Sequence, residues 1–98
     1  FVHKPAAVIS SSRRAGSVTS MDVLNKHLSI SEMPIVTSNY WNEVHGHTPS
    51  DVEQDREGLD TMYALGKNMA WMLKCIEASK KAGIEVPQNK KRTTNFIR

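Results

Sequence analysis

A serine-rich loop with two arginines is the first part of the sequence whose residues suit ligand binding. The loop lies at the end of an apolar run that begins at Lys4. Its candidate binding residues are Ser11, Ser12, Arg13, Arg14 and Gly16. Guanidinium and backbone N–H groups stabilise negative charge on a bound group. A loop beyond a parallel strand also lies at the edge where open α/β sheets bind ligands. On the residues alone, an ordinary exposed loop remains the alternative.

A second candidate group combines two aromatic rings with an amide. Tyr40, Trp41 and Asn42 follow a second short apolar run. Flat rings at this position suit packing against a planar ligand or a subunit contact. The alternative is that the rings cover the core. Trp71 differs because it lies beside the apolar side of a predicted helix, where packing or an oligomer surface is expected.

The other reactive residue types do not form a recognisable catalytic set. His45 and His47 have no third metal ligand close in sequence, so we expect no metal site. Cys75 is the single cysteine, which excludes an internal disulfide, and its apolar neighbours predict a small buried side chain. No phosphate-binding loop, zinc-protease motif or serine-triad order occurs, so the catalytic residues stay unassigned.

The positive charge of the chain is concentrated in its C-terminal tail. The net charge is +3, and residues 84–98 contain four basic side chains against the single acid Glu85. The remainder of the chain is neutral. A short basic tail is usually only solvated, so we expect no nucleic-acid partner. No apolar run is long enough to cross a bilayer, and we expect a cytoplasmic protein without a membrane contact.

The first half of the chain predicts a strand followed by a helix. Residues 4–12 form an apolar run without polar alternation, as in a parallel strand covered on both faces. Val18, Met21 and Leu24 then recur at helical spacing. Ser17 or Thr19 is the expected cap of this helix.

The second half repeats that order. Residues 33–38 predict a second strand, opened by Pro34, and residues 39–47 predict a long loop. Thr48, Pro49 and Asp51 then predict a helix start. The apolar positions of that helix recur every three, four or seven residues as far as Lys81, namely Val52, Leu59, Met62, Leu65, Met69, Leu73 and Ile76.

The helix is expected to weaken near Gly58 and to end before Gly83. The resulting order of β-α-β-α predicts an α/β fold with two parallel strands. Two strands cannot bury both faces of a sheet, so we expect the unit to be incomplete on its own. Residues 1–83 then form this unit, and residues 84–98 form the basic tail.

Three stretches of the chain together resemble one protein family. They are KPAAVISSSRRAG at 4–16, MPIVTSNYWN at 33–42 and GKNMAWMLK at 66–74. These stretches, with the ending TNFIR at 94–98, resemble the second half of flavodoxin-like, NADPH-dependent FMN reductases, in the branch related to iron-sulfur flavoproteins. The similarity covers nearly the whole chain and keeps the order of the family.

The resemblance implies a fold, a cofactor and a reaction. It implies the C-terminal half of a three-layer, flavodoxin-like domain that binds FMN and takes hydride from NADPH. Both loops, at 11–16 and 40–42, would then border the isoalloxazine ring. The phosphate-binding turn of the family has no counterpart here, so the isolated chain is expected to be inactive. The expected partners are a second copy of the chain or the missing N-terminal half.

One alternative from a different class stays open. The chain is then a non-catalytic α/β association fragment that pairs with another chain and binds no cofactor. A weaker alternative is a nucleic-acid accessory domain that acts through the basic tail. Bound flavin would separate the first interpretation from both of the others.

Overall fold

A computed structural model describes residues 1–97 of the chain. The element order is strand β1 (Ser10–Ser12), helix α1 (Ser17–Ile30), strand β2 (Glu43–His45), helix α2 (Pro49–Val52) and helix α3 (Arg56–Lys81). The two strands are parallel, and Ser10 pairs with Glu43 while Ser12 pairs with His45. Helix α1 packs against β1, and α3 packs against β2. The predicted α/β class with two parallel strands is therefore confirmed.

The second strand lies further along the chain than predicted. Of residues 33–38, only Ile35 is paired, in a single bridge with Ala6. The regular strand is Glu43–His45, which lies within the stretch expected to be a loop. Between the two pairings the first segment advances by four residues and the second by eight. Residues 37–42 therefore bulge out of the sheet, and we call them the bulge.

Helix α1 begins without the expected side-chain cap. Gly16 is the cap residue with φ 98, no side chain caps the helix, and Ser17 already lies in the first turn. The predicted cap at Ser17 or Thr19 is therefore wrong. The physical reason is that the Ser17 hydroxyl donates its hydrogen bond to the carboxylate of Glu43 instead. A glycine at positive φ then reverses the chain between β1 and α1.

The end of α1 places a glutamate in the left-handed region. Glu32 has φ 54. The N–H of Met33 donates to the carbonyl of Leu28 at 3.1 Å, and that of Glu32 donates to Ser29 at 3.2 Å. This is the Schellman pattern, which usually has glycine at the left-handed position. Helix α3 ends in the same pattern with the expected Gly83, whose φ is 73.

Substitutions at these two helix ends are expected to have opposite effects on stability. Glu32→Gly is expected to raise the free energy of unfolding by about 1 kcal/mol, since a side chain at positive φ is strained. Gly83→Ala is expected to lower it by a similar amount of about 1 kcal/mol. Urea unfolding followed by circular dichroism measures both. A destabilised Glu32→Gly variant would contradict the expectation and point to the 3.1 Å contact between Asn89 and the Glu32 carboxylate.

The second half begins as predicted but breaks earlier. Thr48 forms a capping box with Asp51, and Pro49 opens α2. This helix ends at Val52, and α3 restarts after Asp55, whose carboxylate accepts the N–H of Gly58. The break thus falls at residues 53–55 rather than at Gly58. Helix α3 spans 26 residues, which is about 39 Å at the usual rise.

The chain leaves much of its apolar surface uncovered. Its buried apolar side chains are Met21, Val36 and Leu65. The accessible surface is 8189 Å², compared with about 5,600 Å² for a compact monomer of this mass. The radius of gyration is 17.2 Å, against about 13 Å for a compact domain of this length. The fold is therefore a flat slab with a small core.

The backbone of the first segment also has an unpaired side. Ala6, Ser10 and Ser12 exchange their backbone hydrogen bonds with residues 34–46. In an extended chain the alternate residues direct their N–H and C=O groups the other way. Ala7, Ile9 and Ser11 thus face an edge that no other strand covers within residues 1–97, and Ile9 is 62% exposed.

The C-terminal tail is exposed and has no regular secondary structure from Ile84 to Ile97. Its first part contacts the N-terminal segment, where His3 Nε2 lies 3.0 Å from the carbonyl oxygen of Pro87. Phe96 and Ile97 are 91% and 88% exposed, so neither side chain anchors the tail. Arg98, the last basic residue of the predicted tail, lies outside the described residues.

Candidate functional site

The bulge at residues 37–42 is held in place by its own polar side chains. The Ser38 hydroxyl donates to the Asn42 Oδ1 atom at 2.6 Å. Asn42 Nδ2 donates to the carbonyl of Val8 at 3.0 Å and so fills the gap in the sheet pairing. Helix α3 contributes a third tie, since Asn68 Nδ2 donates to the carbonyl of Thr37 at 2.7 Å. The bulge is therefore a fixed part of the fold.

A groove of about 410 Å³ lies between α1 and the bulge. Its volume is within the range of small-molecule sites, which is about 300–1,000 Å³. Most of the lining is apolar. The lining residues are Val18, Met21, Asp22, Asn25, Ile35, Val36, Thr37, Ser38, Asn39, Tyr40, Trp41 and Asn42.

The two aromatic rings of the bulge are exposed beside this groove. Tyr40 is 59% exposed and Trp41 is 54% exposed, so neither ring covers the core. Their centroids are 6.2 Å apart with a tilt of 49° between the ring planes. All three predicted residues of this group, Tyr40, Trp41 and Asn42, line the groove. Both polar atoms of the Asn42 amide already have protein partners, so its amide is committed to the bulge.

One polar atom at the groove has no partner. Asn25 lies on α1, and its Oδ1 atom is buried without a hydrogen bond among the described residues. An unsatisfied buried acceptor costs about 1–3 kcal/mol. A donor on a bound molecule, after a small rotation of the Asn25 side chain, would satisfy this atom. The groove thus combines apolar walls with several acceptors, of which Asn25 Oδ1 is the one that is buried without a partner.

The predicted residues of the serine-rich loop lie elsewhere. Arg13 and Arg14 are exposed in the turn after β1, and Ser11 is exposed on the open edge of the sheet. The Ser12 hydroxyl donates to that of Ser17 at 3.4 Å, and Gly16 opens α1. None of these five residues lines the groove. The two predicted groups therefore do not share a cavity within residues 1–97.

A polar cluster that the sequence analysis did not predict joins α1, β2 and α3. Its members are Ser17, Glu43, His45 and Asp55. The buried Ser17 hydroxyl donates to Glu43, whose side chain is 14% exposed. His45 Nε2 lies 4.0 Å from the Glu43 carboxylate, and His45 Nδ1 lies 3.9 Å from that of Asp55. Glu43 and His45 are two residues apart in a strand, and this spacing was the available signal.

Asp55 is the most strongly tied member of this cluster. Its carboxylate accepts the N–H of Gly58 at 3.0 Å and the N–H of His45 at 2.7 Å. These bonds, first from Gly58 and then from His45, lower the pKa of Asp55 from its ordinary value of 3.8. The pKa of Asp51 is lowered as well, mainly by the N–H groups of Thr48 and His47. Asp55 thus caps α3 and anchors β2 at once.

The geometry of this cluster indicates that it has a structural role and that Ser17 is not a catalytic nucleophile. A serine nucleophile needs its hydroxyl hydrogen-bonded to a base such as histidine. Ser17 instead donates to a carboxylate, and its side chain is enclosed. The cavity beside the cluster measures about 50 Å³, which is too small for a cofactor. The cluster therefore joins the elements that carry the groove.

The remaining candidates are isolated in the structure. Within residues 1–97 no three histidine, cysteine or acidic side chains are arranged so that they could hold a metal ion, and His47 is exposed. The prediction that Cys75 is buried is wrong, since the thiol is exposed on α3. Among the described helices, none is long and apolar enough to span a membrane. No family model, curated protein or solved structure matches the chain.

Proposed function

We propose that this chain is the C-terminal portion of a flavodoxin-like, FMN-binding oxidoreductase and borders the isoalloxazine ring. The observation that carries the proposal is the groove of about 410 Å³ with Tyr40 and Trp41 exposed at its side. The family resemblance of residues 4–16, 33–42 and 66–74 supports the same cofactor. NADPH is then the hydride donor of the complete enzyme, and the compartment is the cytoplasm.

The residues at the groove fit the ring system of FMN better than its phosphate. The apolar walls of Met21 and Ile35 and the two exposed rings suit a flat heterocycle. The unpartnered Oδ1 of Asn25 suits an N–H donor such as the one on the flavin pyrimidine ring. No basic side chain lines the groove, so it offers no ion pair to a phosphate.

The serine-rich loop has a different role in this proposal. When bound, FMN supplies the redox chemistry by accepting hydride from NADPH and passing electrons to an acceptor. The side chains of Arg13 and Arg14 are exposed and able to approach an anionic ligand. Ser11, Ser12 and Gly16 contribute hydroxyl and N–H groups to the same loop. These groups lie outside the groove, so they would stabilise negative charge on a part of the flavin that extends beyond it.

Flavin titration tests the proposal. FMN is expected to bind saturably, and Trp41→Ala is expected to weaken binding about tenfold, the loss of about 1.4 kcal/mol of ring packing. Riboflavin should bind as well as FMN, since the groove lacks a phosphate contact. Quenching of flavin fluorescence measures all three affinities.

Phe96→Ala is the matched control for this titration. Phe96 is 91% exposed in the tail, so removing its ring should leave the affinity unchanged. Equal weakening by Trp41→Ala and Phe96→Ala would show nonspecific stacking rather than a site. Absence of saturable binding to the wild-type chain would remove FMN from the role of this chain.

The second candidate is a non-catalytic α/β association fragment that binds no cofactor. Its supporting observation is the uncovered edge of the first segment, where Ile9 is 62% exposed. A second copy or the rest of a flavodoxin-like domain would cover that edge. A colourless chain that self-associates is the result expected from this candidate.

A further inference from the structure

Helix α3 has an exposed face that carries both aromatic and charged residues. We call it the outward face of α3. Its residues are spaced three or four apart and all are exposed, namely Arg56, Asp60, Tyr63, Lys67, Trp71, Lys74 and Ala78. Tyr63 is 71% exposed and Trp71 is 64% exposed. Two large rings on one side of a helix indicate an interaction surface.

The outward face of α3 lies on the side of the helix away from the sheet, and its Asp60, Tyr63 and Lys67 line a shallow cavity with Asn39 of the bulge. The buried residues of this helix are Gly58, Thr61 and Leu65, which lie on the opposite side of the helix. Packing of that opposite side against the sheet therefore leaves Tyr63 and Trp71 exposed. An inference about this face does not depend on the proposed flavin.

We propose that the outward face of α3 binds the same face of a second copy, with the two helices antiparallel and the two-fold axis at Lys67. Such an interface is self-complementary, so each residue meets the one equally far beyond the axis. Tyr63 then meets Trp71 of the second copy, because both lie four residues from Lys67. The aromatic side chains of the two copies pair across the axis.

The charges on this face are complementary in the same arrangement. Asp60 and Lys74 each lie seven residues from Lys67, so the carboxylate of one copy meets the ammonium of the other. A parallel arrangement would instead set Asp60, Lys67 and Lys74 each against its own copy, which makes three pairs of like charges, whereas the antiparallel arrangement leaves one, Lys67 against Lys67. At the axis, each Lys67 lies beside Tyr63 and Trp71 of the second copy, where an ammonium is attracted to the ring faces.

The aromatic rings supply part of the area that a specific dimer needs. A buried aromatic side chain contributes about 150–250 Å². With the exposures of 71% and 64%, four rings would contribute about 500 Å² in total. The stems of Arg56, Lys67 and Lys74 extend the contact along a helix of about 39 Å. The rings thus supply less than half of the lower limit for specific interfaces, about 1,200 Å², and the stems would have to supply the rest.

Sedimentation equilibrium of the full chain tests this inference. Wild type is expected to be a dimer, and Trp71→Glu is expected to halve the mass. Trp41→Glu is the matched control, because Trp41 is a comparably exposed tryptophan away from α3, and it should stay dimeric. Circular dichroism of each variant confirms that a change of mass is not unfolding.

Charge reversal tests the antiparallel arrangement itself. Asp60→Lys and Lys74→Asp are each expected to weaken the dimer about tenfold, and the double variant is expected to restore it. A double variant weaker than either single variant would overturn this arrangement. A monomeric wild type would overturn the dimer. A dimer that dissociates with Ile9→Lys but not with Trp71→Glu would also overturn the proposal, since that result places the contact at the open edge of the sheet.

Discussion

Replacing Asp55 by alanine is expected to lower the free energy of unfolding by about 3 kcal/mol at neutral pH. The variant loses the cap of α3, worth about 1 kcal/mol. It also leaves the His45 N–H without its 2.7 Å partner, and an unsatisfied N–H costs about 1–3 kcal/mol. The two losses combine because a single carboxylate serves both elements. Urea unfolding monitored by tryptophan fluorescence measures the difference.

The same substitution should change the response to acid. The pKa of Asp55 in the folded chain lies below 3.8, so the unfolded chain binds a proton first as the pH falls. The stabilisation is therefore complete well above pH 3.8 and is lost as the pH falls through the folded pKa. The difference between wild type and Asp55→Ala should narrow in that range.

Asp22→Asn is the control for this comparison. Asp22 is exposed on α1, and its change should alter the stability by less than about 0.5 kcal/mol at any pH. A difference between wild type and Asp55→Ala that stays constant from neutral to acidic pH would contradict the assigned role. The stabilisation would then not depend on ionised Asp55.

Gly58→Ala is expected to lower the free energy of unfolding by about 2 kcal/mol, although alanine favours helices. A Cβ atom at this position would overlap the Asp55 carboxylate and lie 3.0 Å from the carbonyl oxygen of Glu43. Both groups are fixed, the first by two N–H groups and the second by its position in β2. The start of α3 must therefore move away from the sheet.

Gly66→Ala in the same helix gives the opposite expected result. A Cβ atom there has no neighbour within 4 Å, so only the helix preference acts. The gain is expected to be about 1 kcal/mol. Thermal unfolding of both variants measures the contrast. Stabilisation by Gly58→Ala as well would show that the start of α3 is looser than the structure indicates.

The sequence predicted those elements whose signals are local. The capping box at Thr48 and the left-handed Gly83 each depend on a few neighbouring residues, and both are confirmed. The second strand was misplaced because strand pairing depends on distant residues. Residues 33–38 read as apolar, but the pairing of Ser10 with Glu43 is fixed by Asn42 contacting Val8. A hydrogen bond between one side chain and a distant carbonyl leaves no periodic pattern in the sequence.

Only part of the candidate site was predicted, because local signals identify its aromatic residues but not its contacts between distant elements. Tyr40 and Trp41 stand out as large rings in a polar loop, and they do line the groove. The contribution of α1 through Asn25 was missed, because an amide within a helix resembles any exposed polar residue. The cluster around Glu43 was missed as well, since its stretch was interpreted as a loop. The role of the residues 11–16 stays a prediction.

The bulge allows the shape of the groove to change while the pairing of β1 with β2 is kept. Its residues leave the ladder after Val36 and rejoin it at Glu43, with Asn42 closing the gap. Insertions or deletions between Asn39 and Trp41 would therefore resize the groove without shifting β2 or the helices that follow it. Ligand preference can then change between related sequences while the fold stays the same. Residues 6–10 lack such freedom, because one added residue there would turn the side chains of β1 to the other face of the sheet.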